Sequence, residues 1–170
     1  MDVRVMLRLS IVFFAVLLSC NVTAKYDLEK IENSKNLYLK TPKFSGVIFD
    51  PNTFTERISI SNFTPTADEI YKAEEIFNNY LKTKKTDQKG VMTNTELIKP
   101  TSQYYRQYFG NIKSNGEKVI KLNCFHKIQA NKFSWKLREV LVKDGGNAFF
   151  QVTVNITTGE CYDFYVHGTA

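Results

Sequence analysis

Cys124 and His126 stand two apart in the stretch Val119-Ile120-Lys121-Leu122-Asn123-Cys124-Phe125-His126. A thiol beside an imidazole can lose its proton and act as a nucleophile. On a strand, residues two apart share a face, so the spacing permits such a pair. The same alternation puts Cys124 in phase with Ile120 and Leu122. That predicts a buried thiol behaving as a small hydrophobe, with His126 at the strand end.

A Cys124–Cys161 disulfide is the next chemistry open to an exported chain. The phases argue against it. Cys161 alternates with Asp163, Tyr165 and His167, on the face opposite the apolar phase. In a simple meander the two strands are also not neighbours, and a bridge needs Cα atoms within about 7 Å. Paired carboxylates could do acid/base work. Glu74 and Glu75 are adjacent on a predicted helix and diverge around it, and Asp163 is isolated, so all three read as solvated. Asp144-Gly145-Gly146 could be a ligand loop but reads better as a turn.

Other chemistries lack their residues. The chain has two histidines and three cysteines. It has no His-Glu-x-x-His, no Cys-x-x-Cys, no Walker loop, no Gly-x-Gly-x-x-Gly and no Gly-x-Ser-x-Gly. No metal site, cofactor or catalytic residue is expected. What remains is a surface. Phe149, Gln151, Thr153 and Asn155 alternate on the outward phase of one strand, with Asp163, Tyr165 and His167 on the next. Phe149, Gln151, Tyr165 and Asp163 together make a candidate binding face, aromatic groups beside hydrogen-bonding ones. The competing reading is that a loop or the N-terminal segment packs over them.

The elements that position these residues follow from pattern. Val47-Ile48-Phe49 and Arg57-Ile58-Ser59-Ile60 read as short strands around the turn Asp50-Pro51-Asn52. Thr66 with Glu69 makes a capping box. Ile70, Ala73, Ile76 or Phe77, Tyr80 and Leu81 recur at helical spacing, which predicts a helix from about 67 to about 83. Residues 86–102 read as a loop. Beyond it, strands are predicted at Tyr104–Ile112, Val119–Phe125, Trp135–Val142, Phe149–Ile156 and Tyr162–His167. Asn115-Gly116, Asp144–Asn147 and Thr157-Thr158-Gly159 supply turns. Alternation breaks inside 135–142, and a bulge near Arg138-Glu139 would restore it. The predicted fold is α+β: one amphipathic helix on an antiparallel meander of roughly four to five strands.

The N-terminus carries an address. Arg4 and Arg8 precede an apolar run, Leu9 to Leu18, broken only by Ser10 and short for a bilayer span. Leu17-Leu18-Ser19-Cys20 looks like a bacterial lipobox, in which the cysteine is acylated and becomes the new N-terminus. The alternative is plain secretion with cleavage after Ala24. The expected organisation is a signal peptide at 1–19, a lipidated Cys20 with a tether through 45, and a single domain at 46–170, with Leu28 to Leu39 of the tether forming a short helix or lying on the domain. The net charge of +6 becomes +5 once Arg4, Arg8 and Asp2 are removed. That balance suits weak attraction to anionic surfaces and is too diffuse for a nucleic-acid reader.

"FTPTADEIYKAEEIF", "YYRQYFGNIKSNGEKVIKLNCF" and "VKDGGNAFFQVTVNITTGECYDFYVHGTA" together resemble a group of uncharacterised lipoproteins from Bacteroidota, over roughly 60–170. The resemblance implies the anchored envelope address and carries no activity. The helix-then-sheet order also resembles cystatin-like and PepSY-like folds, a likeness of fold that says little about function. The expected protein is a non-catalytic binding module, anchored by N-terminal acyl chains to the inner or outer membrane. Its partner would be a protein, peptide or glycan, and no nucleic acid. A cystatin-like peptidase inhibitor and an enzyme using Cys124 are the alternatives.

Overall fold

The computed structural model describes residues 25–53, 62–83 and 98–168. The signal segment, Cys20, the Ala24 cleavage point, the predicted strand 57–60 and most of the loop before Pro100 lie outside the described residues.

Among the described residues seven strands form one sheet in chain order. They are β1 (Asp27–Lys30), β2 (Leu37–Lys40), β3 (Ser45–Ile48), β4 (Tyr104–Ile112), β5 (Lys118–His126), β6 (Phe149–Asn155) and β7 (Glu160–Val166). The α+β class stands, with more strands than predicted. Two of the additional ones, β1 and β2, lie where a tether was expected. Leu39 of β2 is fully buried, and β2 pairs with β3. The described residues from Asp27 to Lys40 therefore belong to the sheet.

All neighbours pair antiparallel except β3 and β4, which run parallel. Parallel neighbours require a crossover, and α1 (Ala67–Thr83) supplies it. The helix starts as its sequence predicts. The Thr66 amide donates to Glu69 Oε2 at 2.9 Å and the Glu69 amide donates to Thr66 Oγ1 at 3.2 Å. Lys118 Nζ reaches Glu69 Oε1 at 2.6 Å and ties the helix start to β5.

The helix buries Ile70, Ala73 and Phe77 against Ile48, Tyr108, Ile120, Leu122, Cys124, Phe150, Val152 and Val154. The β5 and β6 residues among these lie in the phases that alternation predicts. β7 departs from its prediction. Gln151 pairs with Tyr165 but Thr153 pairs with Tyr162, so β7 holds one extra residue there, and Asp163 takes φ 53°. This bulge flips the phase partway along the strand. Cys161, Phe164 and Val166 pack on the helix side, and Tyr162 opposes Thr153 on the other.

The back of the sheet has its own core of Val47, Phe49, Phe109, Phe125, Trp135, Val140 and Phe149. It is roofed by residues 127–148, which contain short 3-10 turns at Lys127–Lys132 and Gly146–Ala148. Residues 135–142 are not a strand, and the predicted bulge near Arg138-Glu139 is not formed. A buried amide network takes the place of a strand ladder. Gln107 Nε2 donates to the carbonyls of Trp135 and Arg138, both at 2.7 Å. Gln107 Oε1 accepts from the Val140 amide at 2.8 Å and from Asn123 Nδ2 at 3.0 Å. Asn36 Nδ2 donates to the Lys136 carbonyl at 3.1 Å. Trp135 and Val140 can then fill the back core although their backbone joins no strand.

Candidate functional site

The most polar feature inside the molecule joins α1 to β4. Glu74 falls within the apolar stripe of α1, four residues after Ile70 and three before Phe77. Arg106 alternates with Tyr104 and Tyr108 on the helix side of β4, and all three are buried. Arg106 Nε meets Glu74 Oε1 at 2.8 Å, and Nη2 meets Oε2 at 3.3 Å. Nη1 donates to the carbonyls of Tyr104 (2.7 Å) and Thr101 (3.0 Å). Tyr108 donates its hydroxyl to Glu74 Oε1 at 2.8 Å. Burial works against the guanidinium charge, yet the adjacent Glu74 carboxylate leaves its pKa above the ordinary value. Burial and then the same carboxylate push the Tyr108 phenol well up. The expectation that Glu74 is solvated therefore fails, while Glu75 is exposed as expected. Gly46 makes room for this cluster, since a Cβ there would lie 2.5 Å from the Arg106 carbonyl and 2.7 Å from the Tyr108 ring.

The cluster forms the inner wall of an open groove of about 830 Å³ beside the helix. Phe44 and Tyr71 line it, with ring centroids 5.2 Å apart. Asn78 and Asn79 add amides, and Lys25, Lys43, Lys72 and Lys82 stand exposed around it against exposed Asp68 and Glu75. Lys25 Nζ sits 3.9 Å above the Tyr71 ring and 3.7 Å from Asp68. With Glu74 neutralised by Arg106, cations outnumber open carboxylates here. A groove of one net sign with low-dielectric walls concentrates ligands of the opposite sign.

Cys124 is fully buried in the helix-side core, and burial pushes its thiol far above the usual range. His126 does not serve it. Its Nδ1 accepts from the Ile128 amide and caps the turn after β5, while Nε2 meets Gln103 Oε1 at 3.1 Å. Cys161 is half-buried, facing the helix because of the Asp163 bulge, and burial pushes its thiol up to about 11. Both are free thiols. The phase argument against a bridge therefore fails, but the separation argument stands. Cys124 opposes Phe150 on β6, whereas Cys161 opposes Val154 from the far side.

The predicted binding face is not one open surface. Phe149 is 6 % exposed, in the back core beneath the 127–148 cover. Gln151 is half-buried, 3.4 Å from His167 Nε2. Tyr165 is 53 % exposed, and Asp163 is exposed at the bulge. The Asp144-Gly145-Gly146 stretch is not a hairpin tip, because no strand immediately precedes it. The amides of Gly145 and Gly146 both donate to the Gly168 carbonyl, at 3.0 and 2.9 Å, and hold the stretch that follows β7. Gly145 has φ 138°, and a Cβ there would lie 2.4 Å from the Phe149 ring.

Sequence reasoning missed Arg106 and Asn123. A signal for the first existed: a charged residue at i+2 between two tyrosines whose phase is apolar. Among the described residues there is no group of three or more His, Cys, Asp or Glu placed to hold a metal ion, and no helix long and apolar enough to cross a membrane. Comparison with protein-family models, curated proteins and solved structures finds no match for this chain.

Proposed function

We propose that this protein is an exported cell-envelope protein, anchored to the inner or outer membrane through an acylated Cys20. In that setting it acts as a non-catalytic binding module. The anchor rests on Arg4, Arg8, the Leu9–Leu18 run and Leu17-Leu18-Ser19-Cys20. The binding role is carried by one observation. The reactive groups are spent on packing, while the open space beside them is a cationic groove with an aromatic wall. Its occupant on this reading is an anionic peptide or glycan, held by Lys43, Lys72 and Lys82 over Phe44 and Tyr71.

The first described residue, Lys25, follows Cys20 by five positions, a reach of at most about 17 Å. The domain would therefore sit close to its membrane. Palmitate labelling of the wild-type chain and a Cys20→Ala variant tests the anchor, with label expected only in the wild type. Crosslinking in native membranes tests the groove. Lys72→Glu with Lys82→Glu should abolish the adduct, and an unchanged adduct removes the groove from consideration.

The cystatin-like or PepSY-like outline belongs to this proposal as an analogy of element order. The peptidase-inhibitor reading has less support. Gln151-Val152-Thr153-Val154-Asn155 lies inside β6, flanked by β5 and β7, and not at a hairpin tip. Titration of papain without inhibition would dispose of it.

A further inference from the structure

Six large hydrophobic side chains are exposed among the described residues, and three of them lie on the cover over the back of the sheet. These are Ile128, Leu137 and Leu141, exposed by 75, 44 and 47 %. The same segment turns Lys127, Lys132, Lys136, Arg138 and Lys143 outward. Its acids do little to offset them. Glu139 accepts from Lys121 at 3.2 Å, which leaves Asp144 as the exposed carboxylate of the segment.

This exposure is not loose packing. The backbone between Trp135 and Val140 is pinned by Gln107 and Asn123, and both of those apolar side chains are buried. Lys127 and Lys136 are braced on the rings beneath, with Lys136 Nζ 4.3 Å above Tyr38 and Lys127 Nζ 5.5 Å above Tyr105. A rigid platform therefore displays aliphatic side chains interleaved with cations.

We propose that this cover is a membrane-docking surface that seats on an anionic phospholipid bilayer. Ile128, Leu137 and Leu141 enter the boundary between headgroups and acyl chains. The lysines and Arg138 meet the lipid phosphates. Interfacial segments combine apolar insertion with basic flanks in this way. A protein partner fits less well, because the cores of protein interfaces are depleted of lysine whereas here cations alternate with the apolar groups. Nucleic acid would satisfy the cations and leave the aliphatic groups unused.

Docking also sets orientation, a consequence that rests on the anchored reading above. The cover and the α1 groove lie on opposite faces of the sheet. With the cover on the bilayer, the groove opens away from it.

Trp135 is the chain's single tryptophan and lies in the cover. The test uses the full chain reconstituted into vesicles of phosphatidylcholine, with or without phosphatidylglycerol, carrying brominated acyl chains that quench nearby tryptophan. In phosphatidylglycerol vesicles Trp135 should lose about half or more of its emission, and much less in phosphatidylcholine alone. Leu137→Asp with Leu141→Asp should restore the emission while leaving the thermal transition in place, since both positions are exposed. Equal quenching in the two lipids, or unchanged quenching in the double variant, overturns the docking. Flotation with both lipids without quenching keeps the anchor and overturns the docking. Quenching by phosphatidylglycerol without flotation on phosphatidylcholine supports the docking and removes the anchor. Crosslinking of the cover to a membrane protein without lipid quenching overturns it in favour of a protein interface.

Discussion

At the residue scale the decisive group is Glu74. Its carboxylate compensates a guanidinium that has lost its water and takes the Tyr108 hydroxyl as well. Removing one partner of a buried pair leaves an uncompensated charge, which costs about 3–5 kcal/mol, whereas replacing both can be nearly neutral. Glu74→Gln should therefore lower stability by about that much in urea titrations. Glu74→Leu with Arg106→Met should lose clearly less than the single change. A larger loss in the double variant would mean that the pair contributes net stability of its own.

The thiols give a second prediction at this scale. Cys124 should resist aromatic disulfide reagents until the chain unfolds, and Cys161 should react slowly at neutral pH, because burial keeps both protonated. Glu69 gives a pH dependence. Partial burial pulls its pKa up, but the Lys118 and Thr66 hydrogen bonds outweigh it and hold the folded value below 4.5. The folded state then binds fewer protons than the unfolded chain. Its contribution is present above pH 4.5 and is lost as pH falls through the folded value. Glu69→Gln keeps the capping box but loses the charge beside Lys118 and at the helix start, and should cost about 0.5 kcal/mol near neutrality, with a difference that shrinks in acid titrations.

At the element scale, α1 was legible and the cover was not. Capping box and apolar stripe agree on one helix, so local and tertiary preferences coincide. In 135–142 the alternation fails between Leu137 and Val140, and that failure marked a segment that is no strand. The bulge that does exist, at Asp163, sits where alternation looked clean, because a single left-handed residue leaves no periodic trace. The cover depends on amides instead of a ladder. Gln107→Leu strips partners from the Trp135 and Arg138 carbonyls and the Val140 amide, and should cost on the order of 3 kcal/mol. A red shift of Trp135 emission ahead of global unfolding would show the cover lifting first. A variant with native emission up to the global transition would mean that packing alone holds it.

At the scale of the whole molecule, the β1–β2 hairpin closes one side of the sheet over β3, whose four residues are all buried. Deleting residues 25–42 would open a flat apolar edge, and such edges template association. That deletion should turn a dispersed protein into one that scatters light, and a monodisperse product would show that β3 needs no partner. The sequence by itself determined the helix, the apolar phases of β5 and β6, the Asn115-Gly116 and Gly159 turns, and the expectation of an exported address. All of these are local periodicities or short motifs. Tertiary structure alone decided the parallel β3–β4 pairing, the burial of Glu74 with Arg106, the roof over Phe149 and the clasp of Gly168 by Gly145 and Gly146. Each depends on which distant segment meets which face, and short-range pattern carries no information about partners tens of residues away.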